Sequence, residues 1–598
     1  MPSLNLFFVL FLITFSFSYY PTNAAILNLS PYNYPKRQGN LKDNRYQIAI
    51  VGTNDLHGYI FSQNYTNPLT GKIYTSKGLK QLGGFISVLR RGWGHRFLWV
   101  DAGNQFQGGL ESKISKGKGM NQFFTFAGLS AATIGNHDFD YGTDFLKEYA
   151  ENATFPFVVS NVFDTTTESS LFLANQFKIF VLNAGRIKIG VIGLTDVDTK
   201  HLVKGELNQF EFKEYKDIVV KYASVLRLKY GVNAVMLLSN PGMKCKVYPD
   251  NNEELKMHYK SNSNNVCDYE GDLYTLLSSI PEGTVDVVVS GSVTSKNTNH
   301  HFFNGIPIIS SIQNGKNFNI IYLSFDKNTF ELVSDETSIE GPVPICNKVF
   351  ANTKQCNELK TVEEAKNAGD LSNFLFHSRP LDLDERIDEI IKPYKERLYR
   401  YESAIVTKVP EEMSIDTEKE SFLGNLISDF VINASNANIS VINTGEFKAT
   451  WSPGDLSVLE VYEMFPFYDN FIVTFTMKGS EVKKMIKEIT FGDKTEMIYQ
   501  TGGLQIEYDK KSKHVKNVFL RDGSELKDDE IYTVGSNDFL MPGFGDDFDK
   551  VKQWYKPTEL KYIKNFNDGL IEYLKTFGEE GIKKNQFYDA NNLRFRYI

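Results

Sequence analysis

The strongest constraint in this sequence is a series of short apolar runs, each stopped by a polar or charged residue. Gln47-Ile-Ala-Ile-Val-Gly-Thr runs up to Asn54, and Phe97-Leu-Trp-Val runs up to Asp101. Ala131-Ala-Thr-Ile leads into Gly135. Lys188-Ile-Gly-Val-Ile-Gly-Leu, Val232-Asn-Ala-Val-Met-Leu-Leu-Ser and Val285-Asp-Val-Val-Val-Ser follow. Short Val/Ile/Leu-rich runs broken by turn residues are the pattern of strands buried on both faces, so the chain is predicted to be layered α/β. In open α/β sheets, ligands bind beyond the carboxyl ends of the strands. That is where this chain places its acids, histidines and amides.

Length and charge narrow the function. The chain has 598 residues, 41% hydrophobic and 23% charged, with a formal net charge of -8 and its acids and bases interspersed. Without a long Lys/Arg run, neither a nucleic-acid backbone nor an anionic membrane is expected as the main partner. Residues 6–18 are an apolar core, followed by small residues at Ala24 and Ala25. The run is shorter than the ~20 residues a bilayer needs, so 1–24 reads as a signal peptide, although its first residues carry no Lys or Arg. The ending Asn-Asn-Leu-Arg-Phe-Arg-Tyr-Ile lacks the apolar tail of a GPI signal, so no membrane anchor is expected.

The mature protein is thus expected to be secreted, extracellular or in a secretory-compartment lumen. Sequons at Asn28, Asn64, Asn152, Asn433 and Asn438 make it an expected glycoprotein. Cys245, Cys267, Cys346 and Cys356 allow three pairings. The local one, Cys245–Cys267 with Cys346–Cys356, closes two short polar loops and is preferred in an oxidising compartment.

The apolar runs and helical patterns divide the chain. A first domain is expected over 45–375, interrupted at about 243–272 by an Asn/Lys/Glu-rich surface insertion flanked by cysteines. A linker helix is expected over 376–404. It sets Ile387, Ile391, Tyr394, Leu398 and Tyr401 on one face and carries a helix-kinking Pro393. A second domain, 405–598, has its own strands at Asn438-Ile-Ser-Val-Ile-Asn and Asn470-Phe-Ile-Val-Thr-Phe-Thr-Met.

The residues past the strand ends form an ordered series. Asn54-Asp55-Leu56-His57-Gly58 is followed by Asp101-Ala102-Gly103-Asn104-Gln105-Phe106-Gln107-Gly108, then by Gly135-Asn136-His137-Asp138-Phe139-Asp140-Tyr141-Gly142. Leu238-Ser239-Asn240-Pro241-Gly242 and Ser290-Gly291-Ser292-Val293-Thr294-Ser295 complete it. In this order the blocks resemble those of metallophosphoesterases of the 5'-nucleotidase family. The resemblance implies a four-layer sandwich of sheets flanked by helices, and two divalent cations (Zn, Mn, Co or Mg) that clamp a phosphate and acidify a water. By the same resemblance Asp55 and His57 would hold one cation and Asn136 the other. His137 would stabilise the phosphate, oriented by Asp140.

The departures fall on the ligands. The family's bridging carboxylate is here Asn104, its fourth-block His is Asn240, and its two fifth-block His are Ser292 and Thr294. A neutral amide cannot supply the negative charge that holds two dications together, and hydroxyls are poor substitutes for imidazole. No tightly bound cofactor is therefore expected. His300 and His301 could rescue a ligand, but they read more simply as a solvent-facing loop or strand-edge pair.

The C-terminal half resembles the same family's substrate-binding domain, an α/β nucleotide-binding fold. Phe422-Leu423-Gly424-Asn425-Leu426-Ile427-Ser428-Asp429 matches its opening helix, and Asn443-Thr444-Gly445-Glu446-Phe447-Lys448 its Asn-x-Gly-x-x-Arg block. Phe465-Pro466-Phe467, Ser536-Asn537-Asp538-Phe539-Leu540 and Gly545-Asp546-Asp547 match the rest. The resemblance implies that Phe467 and Phe539 sandwich a base, that Asp546 holds the ribose hydroxyls, and that Asn443, Gly445 and Lys448 complete the pocket. Lys448 keeps the charge of the family's Arg but loses its bidentate fork. Glu418-Lys419-Glu420 stands where the family has another Arg.

Three readings follow. The first is a catalytically inactive relative that binds a nucleotide or nucleoside, a purine above all. The second is a metal-dependent phosphohydrolase with a weakened site. The third is a glycosylated interaction protein that keeps only the scaffold.

Overall fold

The structure is a computed structural model. It describes residues 44–166, 171, 174–183, 185–202, 207–245, 256–258, 269–291, 299–416, 419–447, 449–466, 470–490, 499–509, 514–538 and 560–598. Outside them lie the expected signal peptide, the sequon at Asn28 and Cys267. So do the site candidates Ser292, Thr294, Lys448, Phe467, Phe539 and Asp546.

Two six-stranded sheets form the N-terminal half. The first runs in the order Lys256–His258, Ser338–Pro344, Asn317–Asp326, Arg45–Thr53, Phe97–Asp101, Ala131–Ala132. The second runs Asn299–Phe303, Ile306–Ser310, Val287–Ser290, Ala234–Ser239, Ile187–Leu194, Lys178–Leu182. In the second sheet the four central strands are parallel, with an antiparallel strand at each edge. In the first, Arg45–Thr53, Phe97–Asp101 and Ala131–Ala132 are parallel and reach one edge, and the remaining pairings are antiparallel. The two sheets share one core: Ile48, Ile50, Leu98 and Val100 of the first pack with Ile189, Met236, Val287 and Val289 of the second.

Helices cover both outer faces, as buried parallel sheets require. Leu79–Trp93 and Lys118–Ala127 pack Leu82, Phe85, Phe123 and Phe124 on the first sheet. Tyr215–Ser224 and Asp272–Ser279 pack Val219, Tyr222 and Leu276 on the second. The expected four-layer sandwich is therefore the observed one.

Part of the expected surface insertion is used by the fold. Lys256–His258 pairs antiparallel with Ser338–Glu340 and adds an edge strand to the first sheet. Lys244–Cys245 pairs with Tyr269–Glu270. The disulfide Cys346–Cys356 is formed.

Helix Glu385–Ser403 runs through Pro393. Ile387, Ile391 and Tyr394 are buried, with Leu398 and Tyr401 half-buried against the same core, which continues from Phe85 to Val406, Leu426 and Phe566. The helix is also tied by charge, Lys80 Nζ meeting Glu385 Oε2 at 2.8 Å and also Asp388. Beyond it a five-stranded sheet runs Tyr499–Gly502, Ile439–Asn443, Ile531–Asn537, Phe471–Lys478, Lys561–Asn565. Helices Phe422–Ser435 and Phe566–Lys575 pack on it. Asn44–Ile598 is one compact unit. Between its halves, Lys113 Nζ donates to Tyr462 Oη (2.8 Å) and Asp568 Oδ1 (3.2 Å).

Candidate functional site

The site is built where the parallel strands end. Thr53 and Asp101 are neighbours in register at the ends of their strands, and Ser239 and Ser290 are likewise side by side. The chain then turns sharply: Asp55, His57 and Asn104 all take left-handed backbone angles, with φ of 49°, 51° and 58°. Such angles cost non-glycine residues free energy and persist where the surroundings enforce them.

Asp138 is the enforcer. Its buried carboxylate accepts the backbone N–H groups of Asn104 (2.8 Å), Gln105 (2.7 Å), Phe106 (3.0 Å) and Gly135 (2.8 Å). Burial pushes its carboxyl up to about 6, against the pull of those four donors. Asp101, pushed up to about 7 by burial, accepts from Thr53 Oγ1 (2.6 Å), Gly103 N (3.0 Å) and Gln105 Nε2 (2.9 Å). Gly135 is a close-approach residue, since a Cβ there would stand 2.1 Å from Asn104 Oδ1 and 2.6 Å from Asn240 Nδ2.

These loops bring Asp55, His57, Asn104, Asn136, His137 and Asn240 around one cavity of about 560 Å³. His57 Nδ1 lies 2.7 Å from the Gln107 carbonyl, so in the neutral ring Nδ1 holds the proton and Nε2 the lone pair. That Nε2 is 3.7 Å from Asp55 Oδ1. His137 Nδ1 meets Asp140 Oδ2 at 2.8 Å, and the two imidazoles stand 5.6 Å apart, edge to face. Asp196, Asp272 and Gln313 line the opposite wall, and burial raises the Asp196 carboxyl above its usual range.

The orientation of Asn104 decides what this set can hold. Its Oδ1 accepts the His137 backbone N–H at 3.0 Å, and its Nδ2 donates to Asp55 Oδ1 at 2.9 Å. Reversing the amide would set N–H against N–H and oxygen against carboxylate, so both partners fix the same orientation. The other Asp55 oxygen takes Asn54 Nδ2 at 2.7 Å. Amide N–H groups thus stand where a cation bridged by a carboxylate would need lone pairs. The side chains present around Asp55 do not fit a close pair of dications.

His300 and His301 do not face solvent. They lie in strand Asn299–Phe303, in register with Ile309 and Ile308. Desolvation among these apolar strands pushes each imidazole down to about 4. Neither lines the cavity. Successive strand residues point to opposite faces, so the two imidazoles are covered on different sides of the edge strand.

In the C-terminal half the described neighbours of the expected base-binding residues are placed by their own hydrogen bonds and packing. Asn443 ends its strand and its Oδ1 accepts Gly445 N at 2.8 Å, capping the turn Thr444–Glu446. Phe465, just before Pro466, stacks on Phe566 at 4.3 Å and is fully buried. Asp538 Oδ1 accepts Phe471 N at 3.0 Å.

Glu420, in the stretch Glu418-Lys419-Glu420 where the family has another Arg, has a structural task. Its Oε1 accepts Asn425 Nδ2 (2.6 Å) and its Oε2 accepts the N–H of Arg594 (2.7 Å) and Phe595 (3.0 Å). Arg594 in turn grips Asp429 through both guanidinium nitrogens at 2.6 Å. Together they pin the C-terminal strand to the opening helix.

Paired sheets with polar groups gathered at their strand ends, followed by a second α/β half, define the class: a two-domain protein with a metallophosphoesterase-type sandwich. Residues 404–553 match the model of the 5'-nucleotidase, C-terminal domain, and most of the chain is similar to 5'-nucleotidases. It is 24% identical over 575 residues to a 5'-nucleotidase of Vibrio cholerae, covering 93% of this chain and 94% of that one. It is 22% identical to Endonuclease YhcR of Bacillus subtilis over 91% of this chain, and spans 41% of that longer protein. The structure of a 5'-nucleotidase precursor from Thermus thermophilus is similar with a TM-score of 0.57 and 21% identity, over 92% of this chain and 99% of that one.

Proposed function

We propose that this chain is a catalytically inactive member of its family that binds a nucleotide or nucleoside, a purine above all, through its C-terminal half. The Asn104 amide, donating to Asp55 at 2.9 Å, carries the reading. A carboxylate at that position would draw a second cation in, whereas the amide satisfies Asp55 without one. Asn240 adds a second neutral group to the same wall. By the resemblance of their motifs, the base-binding role falls to Phe467 and Phe539, with Asn443, Gly445, Lys448 and Asp546 completing the pocket. Stacking on an aromatic ring contributes about 1–3 kcal/mol per base. Secretion and glycosylation belong to the same reading, and Asn64, Asn152, Asn433 and Asn438 are all exposed.

A hydrolase with a weakened metal site is the second reading, favoured by the His137–Asp140 pair at 2.8 Å and by His57 Nε2 facing the cavity. Phosphate release from AMP, ADP and ATP with Mn²⁺, Zn²⁺, Co²⁺ or Mg²⁺ added, beside an Asp55→Ala control, separates the two. No release with any metal, together with calorimetric binding of adenosine or AMP, is the expected result. Release abolished by Asp55→Ala overturns the proposal in favour of hydrolysis.

A further inference from the structure

A second cavity, of about 620 Å³, lies on the other side of the segment 311–317. Gln313 faces the first cavity, while Ile312, Lys316 and Asn317 face the second. The loop closed by the Cys346–Cys356 disulfide contributes Gln355 to its lining, and Asn357 follows just past that disulfide. Three lysines line it: Lys77, Lys316 and Lys360. Glu358, the acid of the lining, is exposed at its rim.

Lys77 is the unusual member. It is only 7% exposed, and its backbone takes a left-handed φ of 44°. Its N–H is tied to the Ile345 carbonyl at 2.8 Å, which fixes the side chain's direction. Its ammonium lies over the Tyr59 ring, 5.0 Å from the centroid. Among the described residues no carboxylate forms an ion pair with it. Glu111, whose charge it feels, instead spends its Oε2 on the N–H groups of Ile60 (2.7 Å) and Phe61 (3.1 Å). Burial and the neighbouring Lys316 charge push the Lys77 ammonium down to about 8, so it is still charged at neutral pH.

A buried ammonium within reach of the exposed Lys316 charge is costly unless an anion lies near both. A strained, disulfide-walled cavity that holds such a pair in place is organised for that anion. We propose that the second cavity binds a phosphate group, free or carried on a small phosphomonoester, between the ammonium groups of Lys77, Lys316 and Lys360. A phosphate suits the site better than a carboxylate: its oxygens can serve three ammonium groups at once, and the neighbouring Asn317 and Asn357 amides add neutral donors. The site is independent of the nucleoside pocket in the C-terminal half. It shares the segment 311–317 with the first cavity, where Asn314 N bonds the Asp55 carbonyl at 2.8 Å.

Calorimetry with inorganic phosphate on the full chain tests this, in a buffer free of phosphate and sulfate. Phosphate binds the wild type, Lys77→Met weakens it about tenfold or more, and Lys316→Ala weakens it several-fold, as expected for lost charge-assisted contacts. Asp55→Ala and His137→Ala leave the affinity within about twofold. If Lys77→Met does not fold, Lys316→Ala and Lys360→Ala decide the matter. AMP that displaces phosphate from the wild type identifies a phosphomonoester site; AMP that does not identifies a site for the free ion. No phosphate binding overturns the proposal, as does equal binding by the lysine variants, or acetate binding as tightly as phosphate. Adenosine binding that survives Lys77→Met and Lys316→Ala keeps the C-terminal reading separate.

Discussion

The two cavities on either side of segment 311–317 have solved the same problem differently. Both bury charge. In the first, the Asp55 carboxylate is answered from within the protein, by amides of Asn54 and Asn104 at 2.7 Å and 2.9 Å. In the second, the Lys77 ammonium receives an aromatic face, a like-charged neighbour and the field of Glu111, but among the described residues no ion pair. A polar site whose hydrogen bonds close on themselves gains little from a ligand, and one left with unbalanced charge gains much. The difference teaches that the amount of polar burial does not mark a binding site; the unsettled remainder does.

The comparison can be broken most forcefully at Asp138. Replacing it with Ala leaves four buried backbone donors without their acceptor. At about 1–3 kcal/mol each, the loss should come to roughly 4 kcal/mol or more, measured by chemical denaturation. A loss below about 1 kcal/mol would show that water can take the carboxylate's place and that the first cavity is not self-contained.

Asn104→Asp is the next largest change, because it sets a carboxylate oxygen beside Asp55 Oδ1. In EDTA this variant should be less stable than the wild type by about 1–3 kcal/mol, and Mn²⁺ should restore it. The wild type should melt at the same temperature with and without Mn²⁺. A wild type as responsive to Mn²⁺ as the variant would contradict the account of Asp55 given above.

The smallest effect concerns Glu111, which lies near Lys77 without pairing with it. Burial pushes its carboxyl from 4.5 up to about 7. Between those values the folded state binds more protons than the unfolded chain, so this group's contribution to stability is full at low pH and is lost as pH rises through about 7. Glu111→Gln keeps an acceptor for Ile60 and Phe61 and should flatten that part of the stability profile between pH 4.5 and 7.5. Parallel wild-type and variant profiles would mean that Lys77 already serves as the partner, and the second cavity would lose its unbalanced charge.

How much of this was legible in advance differs from residue to residue. Asp55, His57, Asn104, Asn136, His137 and Asn240 could be gathered from the chain because each stands within a few residues of the end of an apolar run. Parallel strands end together, so the loops that follow them meet. Asp196 carries the same mark, two residues past the run that ends at Leu194, whereas Asp272, at the start of a helix, and Gln313 depend on how the two sheets face each other. Glu420 reads as a lost phosphate contact but is a tie between the opening helix and the last strand. That task needs partners 174 and 175 positions away in the chain, so no local pattern shows it. His300 and His301 read as solvent-facing polar residues, whereas the hairpin packs them inside.

By itself the sequence determined the layers and the ends of the strands, which follow from side-chain periodicity and are local. The amide at position 104 in place of a carboxylate came from the resemblance of its motif. Only the tertiary structure decided which way that amide points, because its two ends are fixed by groups from different loops, Asp55 on one and His137 on the other. It also decided that Lys77 is buried with no ion pair among the described residues. A lysine in a short loop is ordinarily solvated, and what removed the water here is the packing of Tyr59, the 311–317 segment and the disulfide-closed loop around it.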